Sequence, residues 1–439
     1  MALSSPQYLC FLAFLFFLFW QAARWRVVAL ALVLAANWFF YARWSWVYLA
    51  IIPVCSLVDY WIGRSIAAGH RWLIGLSLLM NLGLVVSTKL PSGMGFALPL
   101  SLSFYGFQAL TYTIDIYRKD AKPAPNWLVY AASVSFFPTI LAGPITRVST
   151  LVTQWAKFKL PLSSEAGGRA LFLIGMGFVK KLLIADYLGE QLVNRVFDTP
   201  TLYSGLEVLL GVYGYAFQLY YDFSGYTDIA LGSALLLGFK LPANFNRPYG
   251  AVNVADFWRR WHISFSNWLR DYLYFSLPGA RGRVLPYLNL VITMLLGGLW
   301  HGLNWTFLVW GAWHGLGLAM ARFLRNRGNF PRWLGIFLTF HFVLIGWVFF
   351  RADSLASAWT MLNQISSFTL GMANVSPGFA GMFGLAAALH YLPENWYTRV
   401  QQTFTDAPAF AQAAALLLLV LLIQRAVVTG AAPFVYQRF

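Results

Sequence analysis

Three of the chain's six histidines fall within residues 254–315, and His301 is placed there as a buried base would be. It closes an uncharged run, 286–300, between Gly297-Gly298-Leu299-Trp300 and Gly302. Glycines at that density let another group come close to the backbone. An imidazole carried into a low-dielectric interior stays neutral and can accept a proton. His262, in Arg259-Arg260-Trp261-His262-Ile263-Ser264, has two readings. It is either a second imidazole holding substrate near His301, the favoured reading, or a solvated residue on a basic interfacial helix. His314 lies 13 positions after His301 (314 − 301), points elsewhere on a continuous helix, and is expected to be structural. The spacing over 256–275 predicts a helix with Trp258, Trp261, Phe265, Trp268 and Tyr272 on one stripe. Arg259, His262, Ser266 and Arg270 form a second stripe. Such a helix is expected at a membrane surface, aromatic side down, its arginines open to anions.

A second polar set, Tyr220, Tyr221, Asp222, Ser224, Tyr226 and Asp228, spots the long run 205–239. Proton-relay carboxylates are one reading. Pairing of the aspartates with Arg259, Arg260 or Arg270 is favoured, because a buried carboxylate needs a cation. Asn246-Arg247-Pro248-Tyr249 and Arg281/Arg283 are basic enough to touch a cofactor's phosphates, and equally lipid headgroups. No GxSxG, P-loop, HExxH or CxxC occurs, so nucleophilic serine, phosphoryl transfer and zinc hydrolysis have no motif here. Cys10 and Cys55 lie in apolar runs and read as small core residues; no metal site is expected.

The elements that position these groups follow from composition. The 439 residues are 59% hydrophobic and 10% charged, far below the roughly 25% charge of soluble chains. This is the composition of a polytopic membrane protein. The net charge of +16 would suggest nucleic acid in a soluble protein. Here the basic residues stand singly or in pairs between apolar runs, as in cytoplasmic loops, and some are expected to meet lipid; no nucleic-acid partner is expected. No Lys or Arg precedes Arg24, so the first run is expected to be a retained span with its N-terminus outside.

Further spans are expected at about 27–42, 46–63, 72–88 and 100–117, with an outer loop at Lys89 and Pro91. Segment 126–143 is apolar, yet Lys119 and Lys122 precede it and Arg147, Lys157 and Lys159 follow. Phe136-Phe137-Pro138 and Ala142-Gly143-Pro144 break it, so it is expected as a re-entrant or tilted element buried in protein. A helix at 169–187 carries Lys180-Lys181. Spans at about 303–321, 334–350, 377–392 and 408–424 follow, with a more polar 353–376. The expected fold is all-α, roughly ten to twelve spans in one domain, 1–439. Its subdivision would be peripheral helices 1–100, a core 101–323 and C-terminal helices 324–439.

A series of motifs then becomes specific: Tyr221-Asp-Phe-Ser-Gly-Tyr-Thr-Asp228, Phe239-Lys-Leu-Pro-Ala-Asn-Phe-Asn246, Asp256-Phe-Trp-Arg-Arg-Trp-His262, Trp268-Leu-Arg-Asp-Tyr-Leu-Tyr274 and Gly297-Gly-Leu-Trp-His-Gly302. Earlier pieces agree, among them the stretch from Phe104 to Arg118 and Gly177-Phe-Val-Lys-Lys-Leu-Leu-Ile-Ala-Asp186. The series resembles the membrane-bound O-acyltransferase family over nearly the whole chain, and most of all its bacterial alginate O-acetyltransferase-like branch. The resemblance implies a helical bundle around a tunnel crossing the bacterial inner membrane. His301 would be its catalytic base and His262 the assisting polar position. No permanent cofactor is implied; the donor would be acetyl-CoA or another acyl thioester from the cytoplasmic side. Arg259, Arg260 and Arg270 would suit the donor's phosphates, with Trp258 and Trp261 along its pantetheine arm. Trp300, Asn304, Tyr221, Asp222, Ser224, Tyr226 and Asn246 would line the substrate path. The acceptor would be an exported polysaccharide or cell-envelope glycan, served by a periplasmic SGNH-type partner.

Two other classes compete. A flippase for lipid-linked sugar, using Asp222, Asp228 and the arginines, would move substrate without an acyl donor and survive loss of His301. A non-catalytic scaffold of an export complex would co-purify with its partners and bind no thioester.

Overall fold

The computed structural model describes residues 2–426 except 44, 90–100, 141–142, 159–160, 280–283 and 326–330. Pro91, Ala142, Lys159, Arg281 and Arg283 therefore lie outside the described residues. Among those described, the chain is helical and holds no strand. Four helices among the described residues are long and apolar enough to cross a membrane: Leu49–Ala67, Trp305–Leu324, Arg332–Arg351 and Ala409–Ala426. Shorter apolar helices include Pro6–Ala22, Arg26–Ala42 and Leu285–His301. This is the all-α polytopic architecture that the composition required.

Local chemistry sets where the helices begin. Ser5 and Ser376 each stand before a proline at the first helical position, and their hydroxyls accept from Tyr8 N and Phe379 N. The broken 126–143 stretch forms two short helices, Trp127–Val134 and Phe137–Ile140, both almost wholly buried. Asn37 satisfies the backbone at the break, accepting from Phe137 N at 3.0 Å and donating to Ala132 O at 3.3 Å. Among the helices not read from the sequence are Val148–Ala156 and Glu394–Asp406.

The chain forms two compact units. The first comprises Met1–Gly177, Tyr226–Pro242 and Gln401–Ala414; the second comprises Phe178–Gly225, Ala243–Val400 and Ala415–Phe439. In the first, Asn37 and Ser135 tie Arg26–Ala42 to the broken segment, and Tyr8 donates to Ser233 Oγ at 2.7 Å. In the second, Leu285–His301 and Trp305–Leu324 meet almost backbone to backbone. A Cβ on Gly311 would stand 2.5 Å from Met294 O, too close for any side chain. Without a hydrophobic driving force in lipid, such close approach supplies the packing that holds two helices together. Gly311→Val is therefore expected to part the pair and cost about 1–3 kcal/mol, read as a lower unfolding temperature in detergent. An unchanged melting temperature would show the contact to be slack.

Segment 256–275 is not one helix. It consists of Val254–Arg260, Ile263–Trp268, a π-helical turn Leu269–Leu273 and a short 3-10 turn. His262 breaks it, with φ 43° and ψ 52° in the left-handed region that non-glycine residues enter at a cost. The predicted lipid-facing stripe is also inverted: Trp258, Trp261, Phe265, Trp268 and Tyr272 are all buried in protein. A continuous amphipathic helix would have shown them to the bilayer. The break folds them inward instead.

Candidate active site

His301 is the last residue of Leu285–His301, followed by an extended Gly302. Its ring is buried and enclosed by aromatic side chains, with centroids at 4.6 Å for Trp300, 4.9 Å for Phe350, 5.1 Å for Trp310 and 6.0 Å for Phe307. Phe265 lies 6.1 Å away. His262 packs on the same two walls, at 5.0 Å from Phe265 and 6.4 Å from Trp300. Phe223 meets it edge-on at 4.7 Å. The helix break thus brings His262 and His301 into one aromatic enclosure.

Asn244 fixes the state of His262. Its Oδ1 accepts from Ser264 N at 3.1 Å and from Ser264 Oγ at 2.9 Å, and lies 3.2 Å from His262 Nδ1. A carbonyl oxygen only accepts, so Nδ1 carries the proton and, in the neutral ring, Nε2 offers a lone pair. That tautomer can take a hydrogen bond from a hydroxyl. Asn244 was missed in the sequence, where Asn246 was chosen; the Asn246 side chain is exposed, and its backbone N–H donates to Arg260 O at 2.9 Å.

The remaining candidates separate. Trp300 packs against Phe265 at 4.4 Å, the rings tilted by 31°, and belongs to the enclosure. Asn304 does not: it is exposed, caps Trp305–Leu324 through Thr306 N, and donates to Asp353 O at 3.1 Å. Trp258 and Trp261 are buried rings. Trp258 Nε1 donates to His314 Nδ1 at 3.3 Å, and Trp261 packs on Trp347 at 5.0 Å. His314 is fully buried in that same cluster.

Arg259 and Arg270 are largely exposed and Arg260 is part-buried. Their partners are Asp256 for the first and third, and Asp271 for Arg270. They can still offer N–H groups to an anion, since surface pairs are weak. Asp222 pairs with Lys181 at 2.6 Å, in place of an arginine, and Lys181 also holds Asp186 at 2.7 Å. The helix Gly205–Leu236 and a π-helical turn, Val179–Ala185, bring these groups together.

Tyr221 donates to Ala386 O at 2.7 Å, and Ser224 is buried with no hydrogen-bond partner for its hydroxyl. Tyr226 belongs to the first unit, its hydroxyl 3.3 Å from Ser4 Oγ. A cavity of about 1140 Å³ in the first unit, lined in part by Lys122, Lys157, Lys240, Thr150 and Gln154, includes none of the predicted site residues.

Residues 44–359 match the model of the MBOAT, membrane-bound O-acyltransferase family. The chain is 40% identical over 377 residues to the probable alginate O-acetylase AlgI of Azotobacter vinelandii, covering 79% of this chain and 74% of that protein. It is 35% identical over 379 residues to the peptidoglycan O-acetyltransferase of Helicobacter pylori, covering 74% and 72%. With the teichoic acid D-alanyltransferase of Bacillus subtilis it shares 30% identity over 270 residues, covering 57% and 67%.

Proposed function

The chain belongs to the membrane-bound O-acyltransferase family and is an O-acyltransferase of multi-pass membrane architecture; from that premise we propose that it moves an acetyl group from a cytoplasmic thioester, acetyl-CoA, to a hydroxyl of an exported polysaccharide. The membrane would be the bacterial inner membrane, with the N-terminus outside. A tunnel would carry the group across, and a periplasmic SGNH-type partner would complete delivery. The observation that supports this reading best is the shared enclosure of His262 and His301.

His301 would act as general base. As the acceptor oxygen attacks the thioester carbonyl carbon, the imidazole takes the hydroxyl proton; the C–S bond then breaks, and the leaving thiolate recovers a proton from the imidazolium. The position of His301 at a helix C-terminus favours the transient imidazolium, because the end carbonyls present partial negative charge there. The aromatic walls exclude water, which protects the thioester from hydrolysis. His262, held by Asn244 with Nε2 as acceptor, would orient the hydroxyl. Arg259, Arg260 and Arg270 would meet the donor's phosphates.

Membrane vesicles carrying the protein, given labelled acetyl-CoA on the cytoplasmic face and a glycan with an SGNH-type partner on the other, should deposit label as a base-labile ester. Glycan left unlabelled, with the thioester intact whichever side it was supplied from, would refute the proposal.

A further inference from the structure

A buried polar cluster in the first unit lies on none of the residues used above. Asp59 sits in the span Leu49–Ala67 and is fully buried. Ser77 Oγ donates to its Oδ1 at 2.7 Å, and Asn81 Nδ2 donates to its Oδ2 at 2.9 Å. Thr113 Oγ1 lies 2.9 Å from Ser77 Oγ. All four side chains are at or near zero exposure. No ion pair reaches Asp59 among the described residues. A carboxyl held this way has hydrogen bonds on both oxygens, and when ionised it carries a charge that burial disfavours and that only a bound cation or a proton would offset.

Buried oxygens without partners accompany it. Asn81 Oδ1 is buried with no hydrogen-bond partner, on the amide that touches Asp59. The hydroxyls of Tyr105 and Tyr130, both fully buried, are likewise without partners; Tyr105 precedes Gly106 on Ser101–Arg118, and Tyr130 packs on Tyr60, the chain neighbour of Asp59, at 6.2 Å between ring centroids. Close packing explains the convergence: a Cβ on Gly106 would stand 2.9 Å from Asn81 O, so Ile74–Ser87 and Ser101–Arg118 meet at backbone distance here. Unsatisfied buried oxygens around an uncompensated carboxylate form a cradle for a cation.

We propose that Asp59, Ser77, Asn81 and Thr113 bind one monovalent cation of sodium's kind within the helices of the first unit. The charge count selects the valence: a single carboxylate balances one positive charge, whereas divalent sites recruit several. Half a turn of the Asn81 amide replaces its donor contact by Oδ1, so that carboxylate, amide oxygen and two hydroxyls share the ion. The site uses none of the acyl-transfer residues and does not depend on the function proposed above.

The test is equilibrium binding of ²²Na⁺ to the purified full chain in nanodiscs, with thermal unfolding in NaCl or N-methylglucamine chloride at one ionic strength. The wild type should bind about one sodium per chain and melt about 3 °C or more higher in sodium. Asp59→Asn, close in shape, should lose both effects, and Ser77→Ala should weaken binding about tenfold. Wild-type protein that binds no sodium and melts alike in both salts would overturn the proposal, and that arm needs no variant to fold. So would a sodium response retained in Asp59→Asn. A melting temperature that rises on acidification with no sodium effect would mean that a proton neutralises Asp59, and the cation site would be excluded.

Discussion

His301→Gln is expected to lower acyl transfer by about 10²–10⁴-fold, the range that a positioned general base contributes. Glutamine is the informative substitution. His301 fills space among Trp300, Phe307, Trp310 and Phe350, and alanine would leave a hole among those rings. Holes of that kind cost about 2–5 kcal/mol in a core, so a dead alanine variant could simply be unfolded. Glutamine keeps most of the volume and can donate or accept one hydrogen bond, yet cannot carry a proton at neutral pH. The loss should fall on kcat with the thioester KM within about threefold, since a base acts in the transition state and not in donor binding. His262→Gln should be milder: that ring would orient the hydroxyl, and an amide can still accept from it. Turnover within about threefold of wild type in folded His301→Gln would remove His301 as the base.

The sequence made the architecture legible because its signal is local and repetitive. Uncharged runs of about 17–20 residues mark spans by composition alone, and Leu285–His301 and Trp305–Leu324 lie within three residues of where hydropathy put them. The enclosure around His301 was half legible. The glycines and tryptophans beside it were visible, but Phe265 and Phe350 arrive from other helices. What failed depended on tertiary structure. Nothing local announces that His262 adopts a left-handed conformation, and a 3.6-residue pattern read through that point turns an interior stripe outward. Asn244 and Asn246 are equally polar in sequence; only the fold decides which faces the imidazole. Asn304 could have been recognised, since an asparagine ahead of an apolar run is a common helix cap. Lys181 was seen only as one of two lysines in an apolar helix, because charge pairing across 41 residues (222 − 181) leaves no spacing to read.

Lys181→Met should destabilise the protein by about 3–5 kcal/mol, the usual result of removing one partner from a buried ion pair, and far more than Asp222→Asn. Lys181 is 1% exposed and holds Asp186 and Asp222 at once, at 2.7 Å and 2.6 Å. Removing it strips both carboxylates of the cation they share, in a place where water cannot replace it. Replacing Asp222 alone leaves the Lys181–Asp186 pair intact and trades a charged acceptor for a neutral one. The asymmetry follows from counting partners, and it separates an ion-pair role from packing, because methionine nearly matches the lysine stem in size. A partial rescue in Lys181→Met/Asp222→Asn, where one of the stranded carboxylates is also gone, would give the coupling directly. Activity should fall with stability. Asp222 adjoins Phe223, whose ring meets His262 edge-on at 4.7 Å, so a shift of Gly205–Leu236 would disturb the imidazole proposed to orient the hydroxyl. Thermal unfolding of the single and double variants in detergent tests this. Equal melting temperatures for Lys181→Met and Asp222→Asn would mean that the lysine's charge contributes nothing beyond its volume.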